Sequence, residues 1–187
     1  MAVPSDPDAR VALVGSGLTA VDAVLSQNRR QILLILYPGD TVSGMTAPSV
    51  PGVGLTAVAP STLRRLSVDA GRSGALRTAT ETALPRMMAR SMLHAAAIGR
   101  LTSEERFAAL LLEMAHHLGQ PTPGGCTFEL PLSRADMADY LALNPDTLSR
   151  LVSRFRARGI LHMPSRRRVI VQDMPALSGL SPLATAL

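Results

Sequence analysis

Arg150, Arg154, Arg156 and Arg158 crowd into the stretch NPDTLSRLVSRFRARGIL at 144–161, where Asp146 is the sole carboxylate. These residue types have a defined chemistry. A guanidinium binds phosphate oxygens and takes guanine O6 and N7 in a two-pronged contact, a carboxylate accepts from cytosine N4, and a serine hydroxyl serves either role. Arg166, Arg167 and Arg168 follow, so 144–170 holds seven arginines against one acid, while the whole chain carries only +5. Such localised positive charge favours a polyanionic partner, nucleic acid before an acidic membrane, because clustered phosphate contacts release counterions. A charged helix face is ordinarily just a solvated face. Three features set that reading aside here: an Asn-Pro cap behind a tight turn, the lack of acidic partners, and a basic hairpin beside the helix.

Other chemistries find little support. The chain has no lysine, which removes Schiff-base and lysine-nucleophile mechanisms. A single cysteine, Cys126, excludes an internal disulfide and an all-cysteine metal or iron-sulfur site; its place in a Pro-Gly loop allows a regulatory thiol, but reactivity needs a lowered pKa and the expected reading is an incidental cysteine. His116 and His117 are adjacent and therefore lie on different faces of a helix, while His94 and His162 stand alone, so no ligand spacing exists. GSG at 15–17 lacks a following Lys-Ser or Lys-Thr and reads as a turn. No nucleophile context is present, and we expect no enzyme, no cofactor and no metal.

The elements that must position the arginines are legible. Ser133 caps a helix through RADMADYLAL, with Ala135, Met137, Ala138 and Leu141 as its apolar face. Asn144 and Pro145 start a second helix at once, since proline at the first turn loses no hydrogen bond. In it Leu148, Leu151, Val152 and Phe155 recur at i, i+3, i+4 and i+7 and must face inward. Asp146, Thr147, Ser149, Arg150, Ser153 and Arg154 then face outward. Gly159 stops the helix, and ILHMPSRRRVIVQ has the pattern of a β-hairpin. Helix, tight turn, helix and hairpin make a winged helix-turn-helix, whose second helix offers its N-terminal half to the major groove.

Upstream, residues 11–68 read as short strands broken by turns, with SQNRR joining two apolar runs and YPGD closing the second. Residues 74–118 read as helix. Thr102 and Glu105 form a capping box ahead of the stripe Phe107, Leu110, Leu111, Met114 and Leu118, and Gly119 ends that unit. Pro121, Pro123, Gly124 and Gly125 mark a loop. With 3% aromatics and no tryptophan, the core should be aliphatic. Leu84, Met88, Met92, Ala95 and Ile98 approximate a seam for pairing with a second copy, interrupted by Pro85, which either kinks the helix or begins a new one. No window is long and apolar enough to span a bilayer, and MAVPSDPDAR lacks the features of a signal peptide.

LPLSRADMADYLALNPDTLSRLVSRFRARGIL resembles the DNA-binding domain of the Crp/Fnr family of bacterial transcription regulators. LTSEERFAALLLEMAHHLG is similar to the helix that follows that family's dimerisation helix, and RRQILLILYPGDTV resembles the end of its cyclic-nucleotide-binding-like barrel. The resemblance implies an α+β fold: a partial β-barrel over 1–72, shortened at its N-terminus, a long dimerisation helix over 73–100, and a C-terminal winged helix-turn-helix over 101–187. It places Asp146, Ser149 and Arg150 at the base-reading positions, Asp146 standing where the family more often has Glu. The expected DNA-contacting set is Ser133, Arg134, Asn144, Asp146, Thr147, Ser149, Arg150, Ser153, Arg154, Arg166, Arg167 and Arg168. TVSGMTAPSVPGVGLTAV offers neither the Glu nor the Arg of the family's nucleotide-phosphate motif, so cyclic AMP binding by the usual contacts is not expected. The cysteine cluster of the oxygen-sensing branch is missing as well.

The sequence therefore points to a cytoplasmic, homodimeric transcription regulator acting on a palindromic site in double-stranded DNA, with RNA polymerase as a further partner and no membrane role. Two alternatives stay open: an accessory or nucleoid-type DNA-binding protein without a sensory ligand, and an interaction partner of a full-length relative.

Overall fold

Small apolar residues alternate with turn formers through the first third of the chain, and the computed structural model folds them into two three-stranded antiparallel sheets. The structure describes residues 11–26, 29–43, 50–66 and 74–186. The chain divides into two compact units, Met1–His94 and Ala95–Leu187.

In the first unit β1 (Val11–Ser16) lies between β4 (Thr41–Ser43) and β6 (Thr62–Leu66), and β2 (Thr19–Val24) lies between β3 (Arg30–Leu36) and β5 (Val53–Ala57). The expected hairpin around SQNRR is the β2–β3 pair, although residues 27 and 28 of that turn lie outside the described residues. GSG, expected as a turn, is one only at its last residue: Gly15 and Ser16 end β1, and Gly17 joins β1 to β2 at φ +74°, a conformation that a side chain would strain. Among the described residues no strand ladder closes the two sheets on each other, so the partial barrel consists of two open sheets. Residues 1–10, and 44–49 of the segment judged unfit for a nucleotide phosphate, lie outside the described residues.

The long helix α1 (Gly74–Arg100) runs without a break through Pro85. Of the two outcomes expected at that proline, a new start is therefore ruled out, and the helix absorbs one missing N–H. Ala83 and Met87 complete the core formed by Val14, Val21, Leu34 and Leu36. Arg90 fastens the helix further, pairing with Asp40 while its guanidinium lies 5.2 Å from the centre of the Tyr37 ring. Asp40 also accepts the Tyr37 N–H at 2.8 Å, so strand end, turn and helix share one carboxylate. Met88 and Met92 point away from this core and remain 47% and 64% exposed.

The second unit is built on α2 (Ser103–Leu118). Thr102 and Glu105 cap it reciprocally, as expected, and Phe107, Leu110, Leu111 and Met114 are buried. Its core departs from the expected aliphatic composition. All three phenylalanines of the chain, Phe107, Phe128 and Phe155, are buried here, and the Phe107 and Phe155 rings meet at 5.0 Å. Few aromatics suffice when they are concentrated in one small core, where such a ring pair adds about 0.5–1.5 kcal/mol beyond burial.

The loop expected around Pro121–Gly125 is instead a hairpin, β7 (Gln120–Thr122) and β8 (Gly125–Glu129). Pro121 is tolerated because β7 is an edge strand that needs no donor on its outer side. β8 also pairs with β10 (Arg168–Val171), which pairs with β9 (Leu161–His162), giving the sheet order β7-β8-β10-β9. Two helices complete the recognition module: α3 (Arg134–Leu141) and α4 (Pro145–Ala157). A short α5 (Met174–Gly179), capped by Asp173, was not apparent from the sequence pattern.

Candidate nucleic-acid interface

The turn between α3 and α4 fixes what the second helix can present. Ser133 caps α3 by accepting from the Asp136 N–H at 3.0 Å, and Asp136 returns the bond, a box not anticipated from the sequence. Ala142 ends α3 at φ 51°, a left-handed position unusual for a residue with a side chain. Arg106 of α2 donates to the Leu141 carbonyl at 3.1 Å and so holds the end of α3. Two residues later the Asn144 side chain accepts from the Asp146 N–H at 2.8 Å and α4 begins at Pro145.

On α4 the expected inward set is buried without exception: Leu148, Leu151, Val152 and Phe155. Full burial of such side chains contributes about 1.5–3 kcal/mol each, which locks the rotation of the helix. The rotation leaves Asp146, Ser149, Arg150, Ser153 and Arg154 exposed and Thr147 half-buried. Ser149 donates its hydroxyl proton to the Pro145 carbonyl at 3.0 Å, and Ser153 donates to that of Ser149 at 3.1 Å. Both hydroxyls therefore offer lone pairs outward, so Ser149 is set to accept rather than donate.

Beyond the wing strands, Ser165 accepts from the Arg167 and Arg168 N–H groups at 3.3 and 3.0 Å and shapes the tip that carries Arg166, Arg167 and Arg168, all exposed. Arg134, at the first position of α3, donates to the Met163 sulfur at 3.9 Å, while its Nη1 is buried with no hydrogen-bond partner among the described residues. Burial first, then the charge of Arg166, pushes the Arg134 guanidinium below its ordinary pKa range. An incoming anion would relieve both effects.

The expectation that the arginine-rich stretch lacks acidic partners needs correction. Glu104 of α2 pairs with Arg154 at 2.7 Å and with Arg158 at 2.6 Å. The stretch itself contains no second acid, so this partner became visible only when α2 was packed across α4. Among the described residues Arg150, Arg156, Arg166, Arg167 and Arg168 make no ion pair. The sequence signal for Glu104 was the acidic pair Glu104 and Glu105 that opens α2, of which the capping box accounts for Glu105 alone.

Of the remaining candidates, Leu84 and Ile98 of the expected seam are half-buried and Met88, Met92 and Ala95 exposed, all on α1. Cys126 lies in β8, and burial pushes its thiol pKa up, away from reactivity. His116 and His117 touch edge to face at 4.9 Å, and the described residues contain no cluster able to hold a metal ion.

Comparison with known proteins agrees with this architecture. The model of the Crp-like helix-turn-helix domain matches residues 105–180. The chain is 32% identical over 168 residues to the nitrogen fixation regulation protein FixK of Rhizobium meliloti, an alignment covering 89% of this chain and 76% of that protein. It is 30% identical to the transcriptional activator protein FnrL of Cereibacter sphaeroides, covering 89% and 71% of the two chains. Among solved structures, FixK2 from Bradyrhizobium japonicum superposes with a TM-score of 0.78 at 27% identity, covering 97% of this chain and 91% of that one.

Proposed function

This chain belongs to the Crp/Fnr family of transcription regulators, and on that premise we propose that it acts as a homodimer reading a palindromic DNA site through α4. It is a DNA-binding transcription regulator. In our reading Asp146, Ser149 and Arg150 meet base edges in the major groove: Arg150 takes guanine O6 and N7, and Asp146 and Ser149 accept from exocyclic amines. To Ser133, Arg134, Asn144, Thr147, Ser153, Arg166, Arg167 and Arg168 we assign contacts with the flanking phosphate backbones. Arg154, expected in that set, is left out because Glu104 engages it.

The observation that carries this reading is the division of α4. Four buried apolar side chains fix its rotation, and on the opposite face Arg150 stands exposed, with no ion pair among the described residues, in the N-terminal half that enters a groove. The unsatisfied, buried Nη1 of Arg134 beside Arg166 supports a phosphate there. For assembly, the exposed methionines Met88 and Met92, with Ala95 a turn further along α1, supply an apolar seam for a second copy. We place the protein in the cytoplasm with its DNA, in reach of RNA polymerase. No helix among the described residues is long and apolar enough to cross a membrane.

Selection of bound DNA from a random pool tests the reading. An inverted repeat whose half-sites are centred about 34 Å apart is expected, with a guanine in each half that Arg150→Ala no longer selects. A pool that shows no enrichment would refute it.

A further inference from the structure

Glu104 occupies the second position of α2 and spans to the far half of α4. Its Oε2 accepts from Arg154 Nη1 at 2.7 Å and its Oε1 from Arg158 Nη1 at 2.6 Å, so one carboxylate engages two guanidiniums with one oxygen each. Arg150, Arg154 and Arg158 recur every fourth residue and form a single row along α4. Glu104 takes the last two of the row, and the first, the one nearest the helix N-terminus, makes no ion pair among the described residues. The two engaged arginines remain 57% and 45% exposed. Exposed ion pairs of this kind contribute little to stability, so a structural staple is a weak explanation for the arrangement.

We propose that Glu104 is an electrostatic brake on sequence-independent binding: it holds Arg154 and Arg158 off the phosphate backbone, leaving discrimination to Asp146, Ser149 and Arg150. This inference rests on the DNA-reading role of α4 given above. Each arginine that neutralises a phosphate strengthens binding to every sequence alike and makes it more salt-sensitive. Arginines on the reading helix that are free to reach phosphates would therefore raise the background against which a specific site competes. A carboxylate shared between two of them lowers that background and leaves the base-reading end of the helix untouched.

The test uses the full chain, a labelled duplex of random sequence and a series of potassium chloride concentrations, with binding read by fluorescence anisotropy. Glu104→Gln keeps the size and removes the charge. Its plot of log affinity against log salt should steepen by about 1 to 2, since each new phosphate contact adds about 0.9, and random-sequence affinity should rise. Adding Arg154→Gln and Arg158→Gln to that variant should abolish the increase. The same two substitutions with Glu104 intact should change the slope by less than about 1. An unchanged or shallower slope in Glu104→Gln overturns the proposal, the shallower one by making Glu104 an aid to phosphate contact. A loss of about 2 from the slope in the double arginine variant overturns it as well, and that arm needs no change at Glu104. If the unaltered chain shows no salt-dependent DNA binding, the reading of α4 fails and this inference fails with it; if it binds and only the slopes disagree, this inference alone is lost.

Discussion

Tyr140, on the first helix of the helix-turn-helix, donates its hydroxyl to Glu113 Oε2 on α2 at 2.9 Å, and both residues are buried. The platform helix and the recognition module are thus joined by a buried polar contact, in addition to the bond from Arg106 to the Leu141 carbonyl. A hydrogen bond made out of reach of water is costly to remove, because the acceptor cannot recover it from solvent. Tyr140→Phe should destabilise the second unit by about 1–3 kcal/mol, seen as a lower urea midpoint at unchanged slope. A midpoint equal to that of the unaltered chain would show that the contact adds nothing.

Arg150 should carry sequence information and the wing arginines should not. Arg150→Ala should cost about 1–3 kcal/mol on the selected site and relax preference at one position of each half. Arg166→Ala or Arg168→Ala should weaken all sequences alike and reduce the salt slope by about 1. A selected sequence unchanged by Arg150→Ala would place the docking elsewhere.

Association should depend on the exposed face of α1. Met92→Glu would set like charges across a twofold axis and cost several kcal/mol of dimer stability, so binding to a full palindrome should collapse while weak half-site binding persists. Because α1 is continuous through Pro85, the seam is not cut at that residue and can include Leu84. Light scattering over a dilution series checks this: equal stability for both proteins would put the contact on another surface.

Acid should loosen the start of α2. The Thr102 backbone N–H, then its hydroxyl, hold the Glu105 carboxyl below its ordinary pKa of 4.5. A carboxylate with a lowered folded pKa stabilises the fold above the ordinary value and loses that contribution as pH falls through the lowered one. Glu105→Gln should therefore be less stable than the unaltered chain at neutral pH, and the difference should shrink in acid. Urea titrations at both pH values measure it, and a gap that does not narrow would mean that the box acts without its charge.

What the sequence determined by itself was local. The Asn144 cap, the proline at the first turn of α4, the inward spacing of Leu148, Leu151, Val152 and Phe155, the stop at Gly159 and the Thr102–Glu105 box each depend on residues within a turn or two of one another. Backbone sterics and helical periodicity act over that range, so these features could be read before any packing was known. The two strands around SQNRR and the helix through 74–100 were legible for the same reason.

Only the tertiary structure decided the rest. The Pro-Gly stretch after α2 reads as a loop on local grounds, yet it folds as a hairpin because β8 gains a ladder with β10, some forty residues on. The three phenylalanines are scattered through the sequence, and only the packing of α2 against α4 and the sheet gathers them into one core. Glu104 lies 50 and 54 residues from the arginines it engages. A count of charges along α4 left those arginines unopposed, because the carboxylate that meets them arrives from another helix, and where two helices cross is set by packing, not by the local sequence of either.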